Sequence, residues 1–146
     1  MKQKGKLIVI EGIDSSGKGA QLRLLKERLE GAGMKVLTTD FPRYYDSPWG
    51  KMVGEYLTGR FGKFNEVDPH LTLLPYMLDQ YTWSRDIGIP WLEKGGTILL
   101  DRYFTSNVHQ VAKNNGKAKT SYRQWLWDLG YKTLGIRKPD LVLFLD

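Results

Sequence analysis

Short apolar runs alternate along this chain with longer segments in which apolar residues recur at three- and four-residue steps. The short runs predict buried parallel strands, because they are continuous and rich in β-branched residues. They occupy residues 7–10, 35–39, 97–101 and 141–145. Strands that alternate with helices in this way predict an α/β fold with a parallel sheet and right-handed crossovers.

The longer segments predict amphipathic helices. The first spans residues 21–33, where Leu22, Leu25 and Leu29 share one face with Ala32. Further helices are expected at residues 49–57, 104–113 and 121–134.

One more helix begins at Asp68, which suits the N-cap position and is followed by Pro69 in the first turn. Pro75 and Pro90 lie inside its apolar pattern. Because proline lacks an N–H and crowds the preceding turn, we expect a kink at the first and a late restart at the second.

The first strand runs directly into a glycine-rich loop. Gly12, four further residues and then Gly17-Lys18 form the pattern of a phosphate-binding loop between a strand and a helix. Inward backbone N–H groups, the helix N-terminus and the lysine ammonium would together bind phosphates. A turn that only joins strand to helix would not need all of these parts, so we favour phosphate binding. The candidate residues are Gly12, Ile13, Asp14, Ser15, Ser16, Gly17, Lys18 and Gly19.

The loop departs from the pattern at the position after the lysine, where Ser or Thr usually contributes a hydroxyl to Mg²⁺. Gly19 and Ala20 offer none, whereas Ser15 and Ser16 are better placed to contact phosphate. Either Mg²⁺ is held by water, phosphates and carboxylates elsewhere, or metal-dependent chemistry is weakened.

Two further residues stand at predicted strand ends, where ligands bind in open α/β sheets. Asp101 ends an apolar strand, which is how such proteins place a second metal-holding carboxylate, although it could instead cap the following helix. Arg43 follows the second strand and is a candidate anion ligand. Taken alone, it is better interpreted as a solvated loop arginine.

Length and composition limit the alternatives. A length of 146 residues predicts a single domain. The sequence contains no cysteine, which excludes disulfides and thiolate metal sites. No run of 18 apolar residues occurs, so we expect no membrane contact and a soluble, cytoplasmic protein. The net charge is +6, but the basic residues are dispersed, which favours a solvated basic face or a site for anionic nucleotides over nucleic-acid binding. Because the fourth strand is terminal, we expect the N-terminal part of a longer domain.

Together these motifs resemble the thymidylate kinase (dTMP kinase) family, which belongs to the P-loop nucleoside monophosphate kinases. The most specific stretch is Asp101-Arg-Tyr with Ser106 and Gln110 after it. The resemblance covers residues 7–146 and also rests on residues 11–18, 41–43 and 138–145.

The resemblance implies a P-loop NTPase fold with three α/β/α layers, incomplete at its C-terminus, and a homodimer. A nucleic-acid partner is not expected, because no binding motif accompanies the positive charge. It implies transfer of the γ-phosphoryl group of ATP to dTMP for dTTP synthesis, with Mg²⁺. Lys18, Arg102 and Asp101 would be catalytic, with Asp101 at the metal. The implied substrate contacts are Asp14 at the 3′-hydroxyl, Pro42 with Arg43 and Arg102 at the acceptor phosphate, and Tyr76, Gln80, Ser106 and Gln110 around the base.

Several positions differ from the family's usual pattern. Gln80 stands where an arginine commonly reads the base, and His109 where a tyrosine is common. Ser15 occupies a position that is a catalytic arginine in some relatives, and others use arginines in a lid that would follow Asp146. Two alternatives therefore remain open: a nucleotide-binding module without turnover, and a deoxynucleoside kinase. The second would need a carboxylate base for a 5′-hydroxyl, whereas Arg43 and Arg102 favour a phosphate acceptor.

Overall fold

The computed structural model describes residues 5–63, 66–107 and 119–146. These residues form two compact units. The sheet unit contains the chain up to Asp40 together with Trp83–Tyr103 and Arg137–Asp146. The helical unit contains Phe41–Thr82 and Phe104–Ile136. The assignment of the whole chain to one domain stays a prediction.

The sheet unit is built on four parallel strands: β1 (Leu7–Gly12), β2 (Val36–Asp40), β3 (Thr97–Asp101) and β4 (Leu141–Leu145). Their order in the sheet is β2-β3-β1-β4. The register places Asp101 opposite Ile10 on one side and opposite Asp40 on the other. The predicted α/β fold with a parallel sheet is confirmed, and the carboxyl ends of all four strands lie at the same end of the sheet.

The inner strands supply the core of the sheet unit, because Leu7, Val9, Ile98, Leu99 and Leu100 are fully buried. Asp140 fastens the start of β1, since its Oδ2 accepts the Leu7 N–H at 2.9 Å while its own N–H donates to the Leu7 carbonyl at 2.8 Å. Lys6 and Arg137 flank this carboxylate at 3.6 and 3.0 Å.

The prediction that the fourth strand is buried is wrong. The strand β4 lies at the edge of the sheet, and its first four side chains are 39–60 % exposed. An apolar run predicts extended structure well, but whether another layer covers the strand depends on residues elsewhere in the chain.

Helix α1 (Lys18–Gly31) begins at Lys18, three residues before the predicted start. Gly17, with a φ of 85°, occupies the N-cap position, so the loop passes straight into the helix. Leu22, Leu25 and Leu29 are only half-buried, so the apolar face of this helix is not fully covered within the described chain.

The predicted late restart at Pro90 is confirmed, and the kink at Pro75 stays a prediction. Helix α3 (Pro69–Trp83) passes through Pro75, and its regular hydrogen bonding changes later, in a π-helical segment (Ser84–Gly88). Helix α4 (Ile89–Glu93) then restarts with Pro90 in its first turn, where a missing N–H costs least. At the π-helical segment Gly88 is needed for close packing, because a Cβ there would lie 2.8 Å from Trp83 Cζ3.

The remaining helices match the predicted segments. Ser47 caps α2 (Pro48–Leu57) by accepting the N–H groups of Trp49 and Gly50. Asp68 Oδ1 accepts the His70 N–H at 2.8 Å, at the start of α3. Residues 104–107 are helical, and the rest of that predicted helix lies outside the described residues. Helix α5 (Lys119–Trp127) continues as a π-helical segment (Asp128–Thr133). None of the helices in the described ranges is long and apolar enough to cross a bilayer.

Candidate active site

The glycine-rich loop leaves the end of β1 and is shaped by close backbone contacts. A Cβ at Gly12 would lie 2.4 Å from the carbonyl oxygen of Leu145 and 2.7 Å from Ser16 Oγ, so only glycine fits. Ser15 and Gly17 have left-handed φ values of 66° and 85°. Successive turns of this kind point N–H groups into one concavity, which is the geometry of an anion nest.

Ser16 supplies an independent test of whether the loop suits phosphates. Its Oγ is buried and has no hydrogen-bond partner among the described residues. A buried hydroxyl without a partner loses free energy relative to one in water. A phosphate oxygen in the concavity would give it an acceptor, so the residues present fit the phosphates of ATP.

Lys18 folds back over the loop from the first turn of α1. Its side chain is buried, and Nζ donates a hydrogen bond to the Ile13 carbonyl at 2.6 Å. An ammonium group has three donors, so two remain for a ligand. The lysine is therefore held over the loop while keeping most of its hydrogen-bonding capacity.

Arg102 reaches the same loop from the end of β3. Its φ of 64° is unusual for a residue with a side chain, and its N–H is secured to the Ile10 carbonyl at 3.1 Å. Its Nη2 forms an ion pair with the Asp14 carboxylate. The structure thus brings the predicted Asp14 and Arg102 together beside the loop, and Asp14 remains largely exposed to solvent.

Asp101 precedes Arg102 and is half-buried. Burial raises the pKa of its carboxyl group above the usual range, while Lys18 and Arg102 act in the opposite direction. Nearby Asp40 and Glu11 add to the upward shift. A cation bound at this carboxylate would offset both the free-energy cost of burying its charge and the repulsion from the nearby acids.

Magnesium ions in proteins commonly use one or two carboxylates together with water and substrate phosphates. Asp101 fits that requirement. Among the described residues no group of three acidic or histidine side chains forms a ready metal cage. The donor set therefore suits Mg²⁺ that arrives with a nucleotide, and Asp101 would hold it.

Glu11 is a residue that the sequence analysis missed. Its side chain is buried in β1, and Oε1 accepts the Tyr103 N–H at 3.1 Å across 92 positions of sequence. It therefore fixes the turn that carries Arg102. A carboxylate inside an otherwise apolar strand was the signal that could have revealed it.

In the helical unit, Arg43 is tied to α3. Its main-chain N–H and Nε each donate to the Asp79 carboxylate at 2.9 Å. Its Nη2 lies 2.8 Å from Asp79 Oδ1 and donates to the Thr82 hydroxyl at 3.2 Å. Pro42 precedes it, after a cis peptide bond. The interpretation of Arg43 as a solvated loop arginine, which the sequence favoured for this residue taken alone, is therefore wrong.

The predicted base-binding residues also belong to the helical unit. Gln80 is buried and exchanges two hydrogen bonds with Asn107, at 3.0 and 3.3 Å, and sequence reasoning did not select Asn107. Tyr76 is half-buried, and its burial raises the pKa of the hydroxyl, as do Tyr44 and Tyr56. Ser106 is half-buried, whereas Gln110 lies outside the described residues.

The comparisons with known proteins agree with one another. The family model described as thymidylate kinase matches residues 10–146. The chain is 33 % identical to a thymidylate kinase from Afipia carboxidovorans over 98 % of its own length, and 34 % identical to a probable thymidylate kinase from Thermococcus kodakarensis over 95 %. It is also similar to the solved structure of thymidylate kinase from Candida albicans, with a TM-score of 0.76, 31 % identity and 98 % of the chain covered.

The chain is shorter than these relatives. It covers 59 % of the Afipia protein, 65 % of the Thermococcus protein and 63 % of the Candida chain. It therefore spans about three fifths of their length.

Proposed function

Because this chain belongs to the thymidylate kinase family, we propose that it transfers the γ-phosphoryl group of ATP to a deoxynucleoside monophosphate, with dTMP as the preferred acceptor. The observation that carries the proposal is the geometry of the loop. The buried Ser16 hydroxyl has no hydrogen-bond partner within the described ranges, and Lys18 Nζ is held against the loop by the Ile13 carbonyl. Arg102, an acceptor-phosphate ligand in this proposal, is ion-paired to Asp14 of the same loop.

The loop would bind the donor. Gly12, Ser16 and Gly17 form the cradle, and Lys18 neutralises charge on the transferred group. Mg²⁺ would neutralise negative charge on the phosphates, and Asp101 is the residue that would hold it. Keeping these donors fixed before substrate arrives is the main way in which such a site lowers the barrier.

The acceptor needs no general base in this proposal. An oxygen of the monophosphate attacks the γ-phosphorus. The bond from that phosphorus to the β,γ-bridging oxygen breaks, and ADP leaves with the released electron pair. The attacking oxygen is already anionic, so no proton has to be removed. Arg102 would hold the acceptor phosphate, and Arg43 would contribute a second contact to it.

A coupled assay of ADP formation tests the proposal, with ATP, Mg²⁺ and dTMP, dUMP, dGMP or dCMP in turn. We expect ADP formation that depends on the acceptor and is highest with dTMP. The Candida relative is described as having broad substrate specificity, so activity with other acceptors would not contradict the proposal. ADP formation with none of the four would contradict it.

Two variants separate the halves of the site. Lys18→Ala should weaken ATP binding and leave dTMP binding close to that of the wild type. Arg102→Ala should do the reverse. A variant that weakens both ligands to the same extent would argue against this division of roles.

A second candidate function is nucleotide binding without turnover. The observation behind it is the absence of a hydroxyl at Gly19 and Ala20. It predicts tight binding of ATP and dTMP without ADP formation in the same assay. The family assignment favours turnover.

Our proposal also includes Mg²⁺ dependence, a homodimer and a cytoplasmic location.

A further inference from the structure

The contact between Arg43 and Asp79 is unlike an ordinary surface ion pair. The side chain of Asp79 is 1 % exposed and that of Arg43 is 13 % exposed. Both carboxylate oxygens are used, Oδ2 by the Arg43 main-chain N–H and Oδ1 by the guanidinium. One residue therefore supplies a hydrogen-bond donor to each oxygen of the carboxylate.

The guanidinium itself is only partly used. Of its five N–H donors, the Nε donor and the Nη2 donors face Asp79 and Thr82, and Nη2 also lies 3.0 Å from the Asp79 carbonyl oxygen. Across the described ranges, Nη1 makes no hydrogen bond. The arginine is therefore held along one edge, and its two Nη1 donors remain available.

This arrangement lowers the net positive charge at Arg43 and fixes the conformation of its side chain. Asp79 offsets much of the positive charge of Arg43, so long-range attraction for an anion is weaker than that of an unpaired arginine. In return, the long side chain has already lost its rotational freedom before a ligand binds. A residue arranged in this way is suited to a directed hydrogen bond to a phosphate oxygen.

The geometry points to Asp79 as the positioning residue that aims the Nη1 edge of Arg43 at the phosphate of the monophosphate acceptor. This inference rests on the proposed function and adds a residue to it. Asp79 would not touch the substrate, and its effect would pass entirely through Arg43. Thr82 would assist by holding Nη2.

The test compares two ligands that differ only by the phosphate. Binding of dTMP, thymidine and ATP is measured by titration calorimetry for the wild type, Asp79→Asn, Arg43→Met and the double variant. We expect Asp79→Asn to weaken dTMP roughly tenfold or more, the size of one charge-assisted hydrogen bond, while thymidine and ATP change less than about twofold. The double variant should bind dTMP no more weakly than Arg43→Met alone, because both changes remove the same contact.

Two further variants keep the test decisive if Asp79→Asn folds poorly. Thr82→Val removes one of the hydrogen bonds to Nη2 and keeps the shape of the side chain, so it should weaken dTMP about two- to fivefold without affecting thymidine. Asp128→Asn is the matched control, since it removes an aspartate of the same unit that pairs with Lys132 at the surface. It should change neither ligand.

The outcomes distinguish this inference from the proposed function. Equal weakening of dTMP and thymidine in Asp79→Asn, or additive losses in the double variant, would show a purely structural role and overturn the inference alone. A wild type that binds dTMP no better than thymidine would overturn both.

Discussion

Gly19 stands at the position where the usual phosphate-binding loop has a metal-binding hydroxyl. Substitutions there test whether a hydroxyl at this position would bind Mg²⁺. Gly19 is the second residue of α1 and is exposed, and a Cβ there would meet no atom within 4 Å. Gly19→Ser would therefore introduce a hydroxyl without a steric cost. Gly19→Ala is the matched control, because it adds the Cβ but not the oxygen.

The expected magnitudes separate two effects. Replacing glycine by alanine in a helix gains up to about 1 kcal/mol, and serine gains roughly half of that. In a protein of this size 1 kcal/mol raises the Tm by about 2–4 °C, so without metal alanine should melt slightly higher than serine. A hydroxyl that ligates Mg²⁺ should add about 1.4 kcal/mol, a tenfold gain in affinity, but only with ATP and the metal present.

Thermal unfolding of the three proteins, with ATP and either Mg²⁺ or a chelator, measures both effects. The shift in Tm on adding Mg²⁺ should be about 3–6 °C larger for Gly19→Ser than for Gly19→Ala. Equal shifts for serine and alanine would refute the reasoning, because they would show that position 19 does not face the metal. A Tm below that of the wild type for both variants would contradict the open space around Gly19.

The remaining predictions concern the loop, the amide pair and the sheet. Gly12→Ala should cost about 1–3 kcal/mol in urea unfolding and abolish ATP binding, because its Cβ would collide with the Leu145 carbonyl. Asn107→Leu should cost about 1–3 kcal/mol by leaving the buried Gln80 amide unpaired, whereas adding Gln80→Leu should recover part of that loss. Asp140→Asn should cost about 0.5–1 kcal/mol at pH 7. Burial alone would raise the pKa of Asp140, but the Leu7 N–H and nearby cations outweigh it and lower the pKa, so the cost should be present above about pH 4 and disappear as the pH falls further.

The local pattern of apolar residues was sufficient to predict the strands of the sheet unit. The bounds of β3 and β4 match the apolar runs at 97–101 and 141–145. The loop was recognisable because its glycines, its lysine and its flanking elements are contiguous in sequence. Each of these features is set by steric and hydrogen-bonding rules that act over a few residues.

Side-chain pairing over long distances was not predictable in this way. Arg43 and Asp79 are 36 positions apart, and Gln80 and Asn107 are 27 apart. No periodicity marks one member as the partner of the other. The prediction that Gln80 reads a base did not anticipate that Asn107 would use its amide, and the exposure of β4 likewise depended on what covers it.

The two arginines assigned to the acceptor phosphate are paired in different ways, and the difference predicts different behaviour. Arg102 pairs with Asp14, whose side chain is 97 % exposed, and such pairs contribute about 0–1 kcal/mol. A phosphate can therefore replace Asp14 at little cost, because the carboxylate that it releases is already exposed to solvent. Arg43 pairs with Asp79, which is 1 % exposed, and separating a buried pair costs about 3–5 kcal/mol. Because that cost is large, a phosphate cannot displace Asp79. The phosphate and Asp79 must therefore contact the Arg43 guanidinium at the same time. Arg102 can thus exchange partners when substrate binds, whereas Arg43 must keep its own.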